Sequence, residues 1–578
     1  MRATAVVGRS GRGVELRPQS GTDLMDLAQA VRRELGADRS VRVVSGSVAL
    51  DTREATALLD ATPAFELDWS AGARRFVRNR AAPNPDDVEQ SHRLKALAVD
   101  ELRPLVQDSR LADVLDDHQV RNVALMTVPG SLGACLFDEQ GTGKTVSLIA
   151  AFDLLVEHNS ADVLLVVAPK SMVGEWANEI AKFTDGLYKV ETLEGPRRAK
   201  SRKLGSGADV FVCNYETVLS SADDLRLMCE RKRTVVAVDE SFNVKNPQAQ
   251  RTAAVAALRE WCVRAFVLCG TPAPNRPDDI VAQVNFVDYG RAFSDARLPD
   301  EPSARRAAIA QVLDRSVVFT RNLKGVVLPD LPSRTFTELN IELEPSQRAI
   351  YDMVAGELID ELSIASDAEF AARYTHFLAR RASLLRTCSD PAGVDSAFTG
   401  TPAKITALDT LLAGWIAAGE KVVVWSFYRA TLDLLERRYA EYGVARVDGS
   451  VNDVSARREA VRSFQQDAAT RVFIGNPAAA GAGITLHTAA VSVYESMSNQ
   501  AAHYLQSLDR THRRGQTRDV EYVTLLAADT LEAREFERLK TKASQQAELL
   551  RDPEPVLFTR QMMLNELVVT LRGSHARR

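Results

Sequence analysis

The chain has 578 residues, a formal charge of -5, 45% hydrophobic and 26% charged residues. At ~150 residues per domain several cores are expected, and this composition excludes a disordered or fibrous protein. No apolar run approaches the ~18 residues that cross a bilayer, and the amino-terminal MRATAVVGRSGRG has no apolar secretion segment, so a cytoplasmic protein without membrane attachment is expected.

Residues 1-85 read as a small accessory α/β module. TAVVGRSGRGVELRP and VRVVSGSVALD have strand composition, and DLMDLAQAVRREL places Leu24, Leu27, Val31 and Leu35 on one helical face. GARRFVRNR (72-80) brings four arginines around Phe76, either as a solvated basic face or as a contact for nucleic acid. The prolines of AAPNPDD then lead into a connector, 86-109. From 110 the chain alternates short β-branched runs with helices. GACLF, VLLVVA, VFVCN, TVVAVDE and AFVLCG make one set (110-289), and KVVVWSF, RVFIGN, VSVYES and VEYVTLL make another (401-550). Continuous apolar strands alternating with helices predict parallel sheets covered on both faces, so the fold class is α/β with two such sheets. The stretch 290-400, as in FAARYTHFLARRASLLRTC, is expected to be helical, and 551-578 is a carboxy-terminal extension. The six cysteines are scattered with no metal spacing, which predicts reduced core thiols.

DEQGTGKT (138-145) follows a strand and opens the helix KTVSLIAAFDLLVE. Such a turn cradles phosphate: backbone N-H groups of Gly141, Thr142 and Gly143 and the helix N-terminus face the anion, Lys144 reaches the terminal phosphates, and the Thr145 hydroxyl joins Mg2+. Asp138 stands where the strict pattern has its first glycine and is expected among the nucleotide contacts. A second strand ends in VVAVDES, where Asp239 can hold Mg2+ through water and Glu240 can orient and deprotonate the attacking water. Both motifs fit the C-terminal edge of one sheet.

In this order the motifs resemble those of the Swi/Snf-type ATPases of helicase superfamily two, over roughly residues 110 to 550. LDDHQVRNVALM resembles the adenine-reading segment, with Gln119 as its glutamine; VVAPKSMVGEWANEI, NYETV and DESFNVKN are similar to motifs Ia, Ib and II; LCGTPAPN is similar to motif III. QSLDRTHRRGQ (506-516) resembles motif VI. The resemblance implies two RecA-like lobes with helical insertions. It also implies ATP and Mg2+ as cofactors, Gly483 and Gln506 as further nucleotide contacts, and Arg510 and Arg513 as arginine fingers. Family nucleic-acid contacts fall on Ser171, Trp176, Asn214, Tyr215, Ser426, Arg429 and the segment Gly481 to Thr485; for Trp176 a core position is the stronger expectation. Departures are Phe242 for the usual motif II histidine, Thr485 for a common asparagine, and YESMSNQAAHY without Trp-Asn-Pro.

The function so implied is an ATP-dependent translocase on double-stranded DNA, gripping the backbone with little sequence preference. The separation of Pro272 from Lys421 exceeds a simple lobe connection, and an insertion there accompanies duplex tracking in the family. A strand-separating or annealing helicase and an ATP-gated DNA-binding scaffold stand as alternatives, and the amino-terminal module is a candidate contact for a protein partner.

Overall fold

The computed structural model describes residues 1-8, 13-36, 41-80, 85-244, 249-270, 278-294, 296-316, 319-451, 453-478, 484-498, 500-547, 561 and 563-568. Three sheets organise them. The first contains β1 (Arg2–Val7), β2 (Val14–Pro18), β3 (Val41–Val44), β4 (Ser47–Leu50) and β5 (Glu66–Trp69), in the order β3-β4-β2-β1-β5. Its pairs are antiparallel except β1 with β5. The helix Leu24–Leu35 starts where the Asp23 carboxylate accepts the amides of Met25 and Asp26, and it buries Leu27 and Val31 against the sheet.

The helix Ala71–Arg80 has two jobs. Ala73, Phe76 and Val77 enter the module core, while its other side docks the module on the next domain. Arg75 lies 4.0 Å over the Trp261 ring and Arg80 lies 4.5 Å over Tyr289. Arg80 Nη1 also donates to Glu260 at 2.9 Å. Two of the four arginines left open as a nucleic-acid contact are therefore occupied by docking.

The second sheet holds β6 (Gly133–Leu136), β7 (Val163–Ala168), β8 (Val190–Thr192), β9 (Val210–Asn214), β10 (Thr234–Asp239), β11 (Arg264–Leu268) and β12 (Phe319–Thr320), ordered β12-β6-β11-β10-β7-β9-β8. The third holds β13 (Arg334–Ile341), β14 (Val422–Trp425), β15 (Val444–Val447), β16 (Val472–Gly475), β17 (Val491–Tyr494) and β18 (Val520–Ala527), ordered β13-β18-β17-β14-β16-β15. Every pair in both is parallel. Both faces of each sheet are buried, which is why their strands are continuous apolar runs: Val235 and Ala237 of β10 enter one core, Val236 and Val238 the other. Val423 with Trp425, and Val422 with Val424, divide in the same way in the second lobe.

The stretch 290-400 is not helical throughout: it supplies β12 to the first lobe and β13 to the second. β13 escaped the sequence reading because it is a half-exposed edge strand whose residues alternate in exposure. The helices Pro345–Ile364 and Tyr374–Thr387 follow β13 and share a core, with Leu358, Phe377 and Leu384 packed against Leu531 and the carboxy-terminal Met563 and Leu567. Among the described residues no helix is long and apolar enough to cross a membrane.

Candidate nucleotide site between the lobes

In a parallel sheet every strand delivers its following loop to the same edge, so the loops after β6, β7, β9, β10 and β11 meet there. The loop after β6 turns through Gly141 (φ 82°) and Gly143 (φ 85°) into the helix Lys144–Glu157, whose first amides have no side-chain cap. Uncapped amides at a helix start are a ready site for phosphate oxygens. A Cβ at Gly143 would stand 2.1 Å from Gln119 Nε2, so the close approach of Gln119 requires glycine. Lys144 Nζ donates to the carbonyls of Asp138 (2.8 Å) and Glu139 (2.9 Å). Burial lowers its pKa, while Asp138, Glu240 and Asp239 act to keep the ammonium charged. Thr145 is the second residue of the helix and is half-buried.

Asp138 performs a different task from the one expected of it. It is 1% exposed, and its carboxylate accepts from Asn122 Nδ2 (2.6 Å), Thr320 Oγ1 (3.2 Å) and the backbone and side-chain nitrogens of Asn322 (both 2.9 Å). A carboxylate saturated by protein donors is a brace, not a phosphate ligand. Gln119 braces the same loop: Nε2 donates to the carbonyl of Gly143 at 3.2 Å and Oε1 accepts the Asp116 amide at 2.9 Å. Both ends of its amide are thus committed, and reading a base requires it to release the loop.

Asp239 and Glu240 end β10. Trp176 Nε1 donates to Asp239 at 2.8 Å, and the Glu240 amide donates to the other Asp239 oxygen at 2.9 Å. Burial pushes the Asp239 carboxyl up. Burial first, and Asp239 second, push Glu240 up to about 7, against the pull of Lys144, a 2.8 Å hydrogen bond from Gln140 and the charge of Arg510. Glu240 also has φ of 48°, a left-handed conformation that costs a non-glycine residue roughly 1 kcal/mol or more and is typical of functional sites.

The second lobe closes over this edge. Arg510, on the helix Ala501–Thr511, is 7% exposed; burial and Arg513 lower its pKa to about 10, while Asp509, Glu240 and Glu175 oppose the shift. Arg513 donates to Thr485 Oγ1 at 2.6 Å, and its Cβ would lie 3.8 Å from a Cβ on Gly141 of the phosphate loop. Arg514 pairs with Asp116. Arg458 reaches Gly174, and with Arg513 and Arg510 it pulls down the Glu175 carboxyl, which burial and Glu179 raise. Sequence reasoning missed Glu175, Arg458, Gln140 and Asn322, because each acts through a partner remote in sequence.

The expected nucleic-acid contacts divide by burial. Ser171, Asn214 and Thr485 are half-buried and Arg429 is exposed, with Asn214 also capping a helix by accepting the Thr217 amide at 2.8 Å. Trp176, Tyr215 and Ser426 are 2%, 3% and 0% exposed. Trp176 and Tyr215 hold the C-terminal end of β10, Tyr215 through its hydroxyl, which donates to the backbone carbonyls of Asp239 and Glu240. Ser426 donates to Glu495 at 2.8 Å. These three position the edge from inside rather than present a surface. Gln506 is buried at 6% on the helix Ala501–Thr511. Gly481, Gly483, Lys245, Asn246, Pro272 and the Phe242 side chain lie outside the described residues. All six cysteines are buried, and none is joined in a disulfide.

Residues 103–392 match the SNF2-related domain, and residues 403–515 match the helicase conserved C-terminal domain. The chain is 26% identical over 475 residues to the ISWI chromatin-remodeling complex ATPase CHR17 of Arabidopsis thaliana, covering 76% of this chain and 43% of that protein. It is 27% identical over 461 residues to the human SWI/SNF-related matrix-associated actin-dependent regulator of chromatin subfamily A member 1, covering 74% of this chain and 43% of the relative. It thus spans less than half the length of these relatives. The Sulfolobus solfataricus SWI2/SNF2 ATPase core, solved in complex with dsDNA, aligns with 80% of this chain and 96% of its own at 20% identity and a TM-score of 0.35. With the SNF2-related domain spanning half its length and the helicase conserved C-terminal domain following, the chain belongs to the SNF2 family of helicase superfamily two.

Proposed function

We propose that this chain is an ATP-driven translocase on double-stranded DNA that remodels DNA or DNA-bound protein. The observation that carries the reading is the meeting of the lobes: Arg510 is close enough to Glu240 for their charges to act on one another, and Arg513 packs beside Gly141. ATP binds with its phosphates on the amides from Gly141 to Thr145, and Lys144 swings from the Asp138 and Glu139 carbonyls to the terminal phosphates. Mg2+, held by Thr145 and Asp239, would neutralise phosphate charge there. Glu240 orients the attacking water and takes its proton, while Arg510 and Arg513 stabilise the charge that spreads over the γ-phosphoryl oxygens, an effect worth ~10^3 to 10^5 in rate in related systems.

The stroke follows from the division of the site. A nucleotide that needs groups of both lobes favours the closed arrangement, and its hydrolysis removes that preference. Ser171 follows β7 and Asn214 ends β9 on the first lobe, and Arg429 follows β14 on the second, so each lobe offers polar groups to a phosphate backbone at its strand ends. Arg197 and Arg198, exposed after β8, extend the same edge by one strand. Backbone contacts carry no base information, so tracking is largely independent of sequence and weakens as salt rises. The test is ATP turnover without nucleic acid and with single strands, duplex, forked DNA and RNA. Duplex is expected to raise the rate by at least ~10-fold, with Lys144→Ala and Glu240→Gln abolishing it. A rate indifferent to every nucleic acid overturns the reading, and ATP-dependent opening of the fork converts it to a strand-separating enzyme.

A further inference from the structure

Lys324 belongs to none of the motifs above. It stands on the segment joining the lobes, between β12 and β13, and is 4% exposed. Its Nζ pairs with Asp509 and donates to the His512 carbonyl at 3.0 Å, both on the arginine-bearing segment of the second lobe. Its own amide donates to the Glu139 carboxylate in the phosphate loop. A Cβ on Gly141 would meet Lys324 Cε at 3.4 Å and Nζ at 3.5 Å. One buried ammonium therefore lies between the loop that would receive phosphate and the residues that would stabilise its transfer.

Asp509 explains why a cation is placed there. It immediately precedes Arg510 on the helix Ala501–Thr511, Arg513 lies just beyond the end of that helix, and the Asp509 charge acts on both guanidinium groups. Unopposed, it would draw both guanidinium groups to itself and cancel the charge required at the γ-phosphate. In the closed molecule Asp509 is instead paired with Lys324, and Arg513 donates to Thr485.

Resting on the proposed hydrolysis, we propose that Lys324 is a positioning residue: by holding Asp509 it keeps that carboxylate from quenching Arg510 and Arg513. Because it is carried by the segment between the lobes, it does so only on closure, making the fingers competent when the pocket is assembled.

The test compares the full-length wild type, Lys324→Met and Lys324→Met/Asp509→Asn, with Lys144→Ala as the inactive control. Lys324→Met is expected to lower duplex-stimulated kcat by ~30-fold or more while KM for ATP and affinity for a fluorescent ATP analogue change less than ~3-fold, since the phosphate loop is intact. The double variant, which removes charge from both partners, is expected to recover at least ~10-fold of that loss. A double variant no faster than Lys324→Met overturns the proposal, because a lysine that touched phosphate or merely supported the fold is not rescued by removing Asp509. Dyes at exposed positions 232 and 441, introduced as Lys232→Cys and Glu441→Cys, report closure with a non-hydrolysable analogue and need no turnover. Lys324→Met is expected to lower the closed fraction at saturating analogue by at least ~3-fold, with the midpoint shifted less than ~3-fold, and the double variant to restore it; equal closure curves for all three proteins count against the proposal. A wild type that closes normally yet never hydrolyses ATP refutes the proposed function and leaves the closure result to judge Lys324.

Discussion

Glu240 shows how the fold loads chemistry onto one side chain. Its folded pKa of about 7 lies well above the ordinary ~4.3 of a glutamate, so burial disfavours the ionised form. The sign for stability follows: the favourable contribution is complete below ~4.3 and is lost as pH rises through about 7, where the folded protein must carry a buried charge. Glu240→Gln is therefore expected to raise the urea midpoint at pH 8, on the order of 1–3 kcal/mol, with the gain vanishing toward pH 4, while turnover falls by at least ~10^3. As a general base in the free enzyme, Glu240 also predicts kcat/KM for ATP falling as pH drops below about 7. A profile flat from pH 8 to pH 6 contradicts that role. Asp138 carries the opposite lesson. Asp138→Gly restores the usual phosphate-loop pattern yet strands Asn122, Thr320 and Asn322, so it is expected to destabilise by roughly 2–4 kcal/mol in denaturant unfolding.

At the scale of elements, the helix Ala71–Arg80 is a two-sided joint, with Phe76 and Val77 turned to its own module and Arg75 and Arg80 to Trp261, Glu260 and Tyr289. Glu260 and Trp261 precede β11, which puts the joint at the sheet edge opposite the phosphate loop. Arg75→Ala/Arg80→Ala is expected to speed hydrogen exchange across that helix while basal ATP turnover stays within ~2-fold. A large fall in basal turnover instead means that the module supports the pocket. Strands with both faces buried were legible as apolar runs, as in VLLVVA and KVVVWSF. β8, β13 and β15 were not, being short or half-exposed, so their side chains lack that signature. The phosphate loop, the carboxylate pair and the arginine segment were legible because each is contiguous. What braces them was hidden, since Asn322 reaches Asp138 across 184 residues and Lys324 reaches Asp509 across 185, distances that carry no local pattern.

For the whole molecule, the two lobes share one edge-to-edge seam in which Arg514 meets Asp116, Arg458 meets Gly174 at the start of the helix Val173–Phe183, and the lobe linker contributes Lys324 and the Pro332 carbonyl, which contacts His512 Nε2 at 2.8 Å. That linker begins with β12, which pairs with β6, the strand that leads into the phosphate loop. The first lobe consequently runs on through the helices Asp278–Asp288 and Pro302–Arg315, and its sheet acquires its outer strand only with Phe319 and Thr320. During synthesis the flank of β6 must wait, open, while nearly all other parts of that lobe have already emerged. A fragment ending at residue 294 is expected to bind a hydrophobic dye and precipitate, whereas one ending at residue 330 stays in solution; equal solubility of the two contradicts this order of assembly. The pocket's wall is thus sealed late on the ribosome, and a half-made chain has no finished place in which to trap a nucleotide.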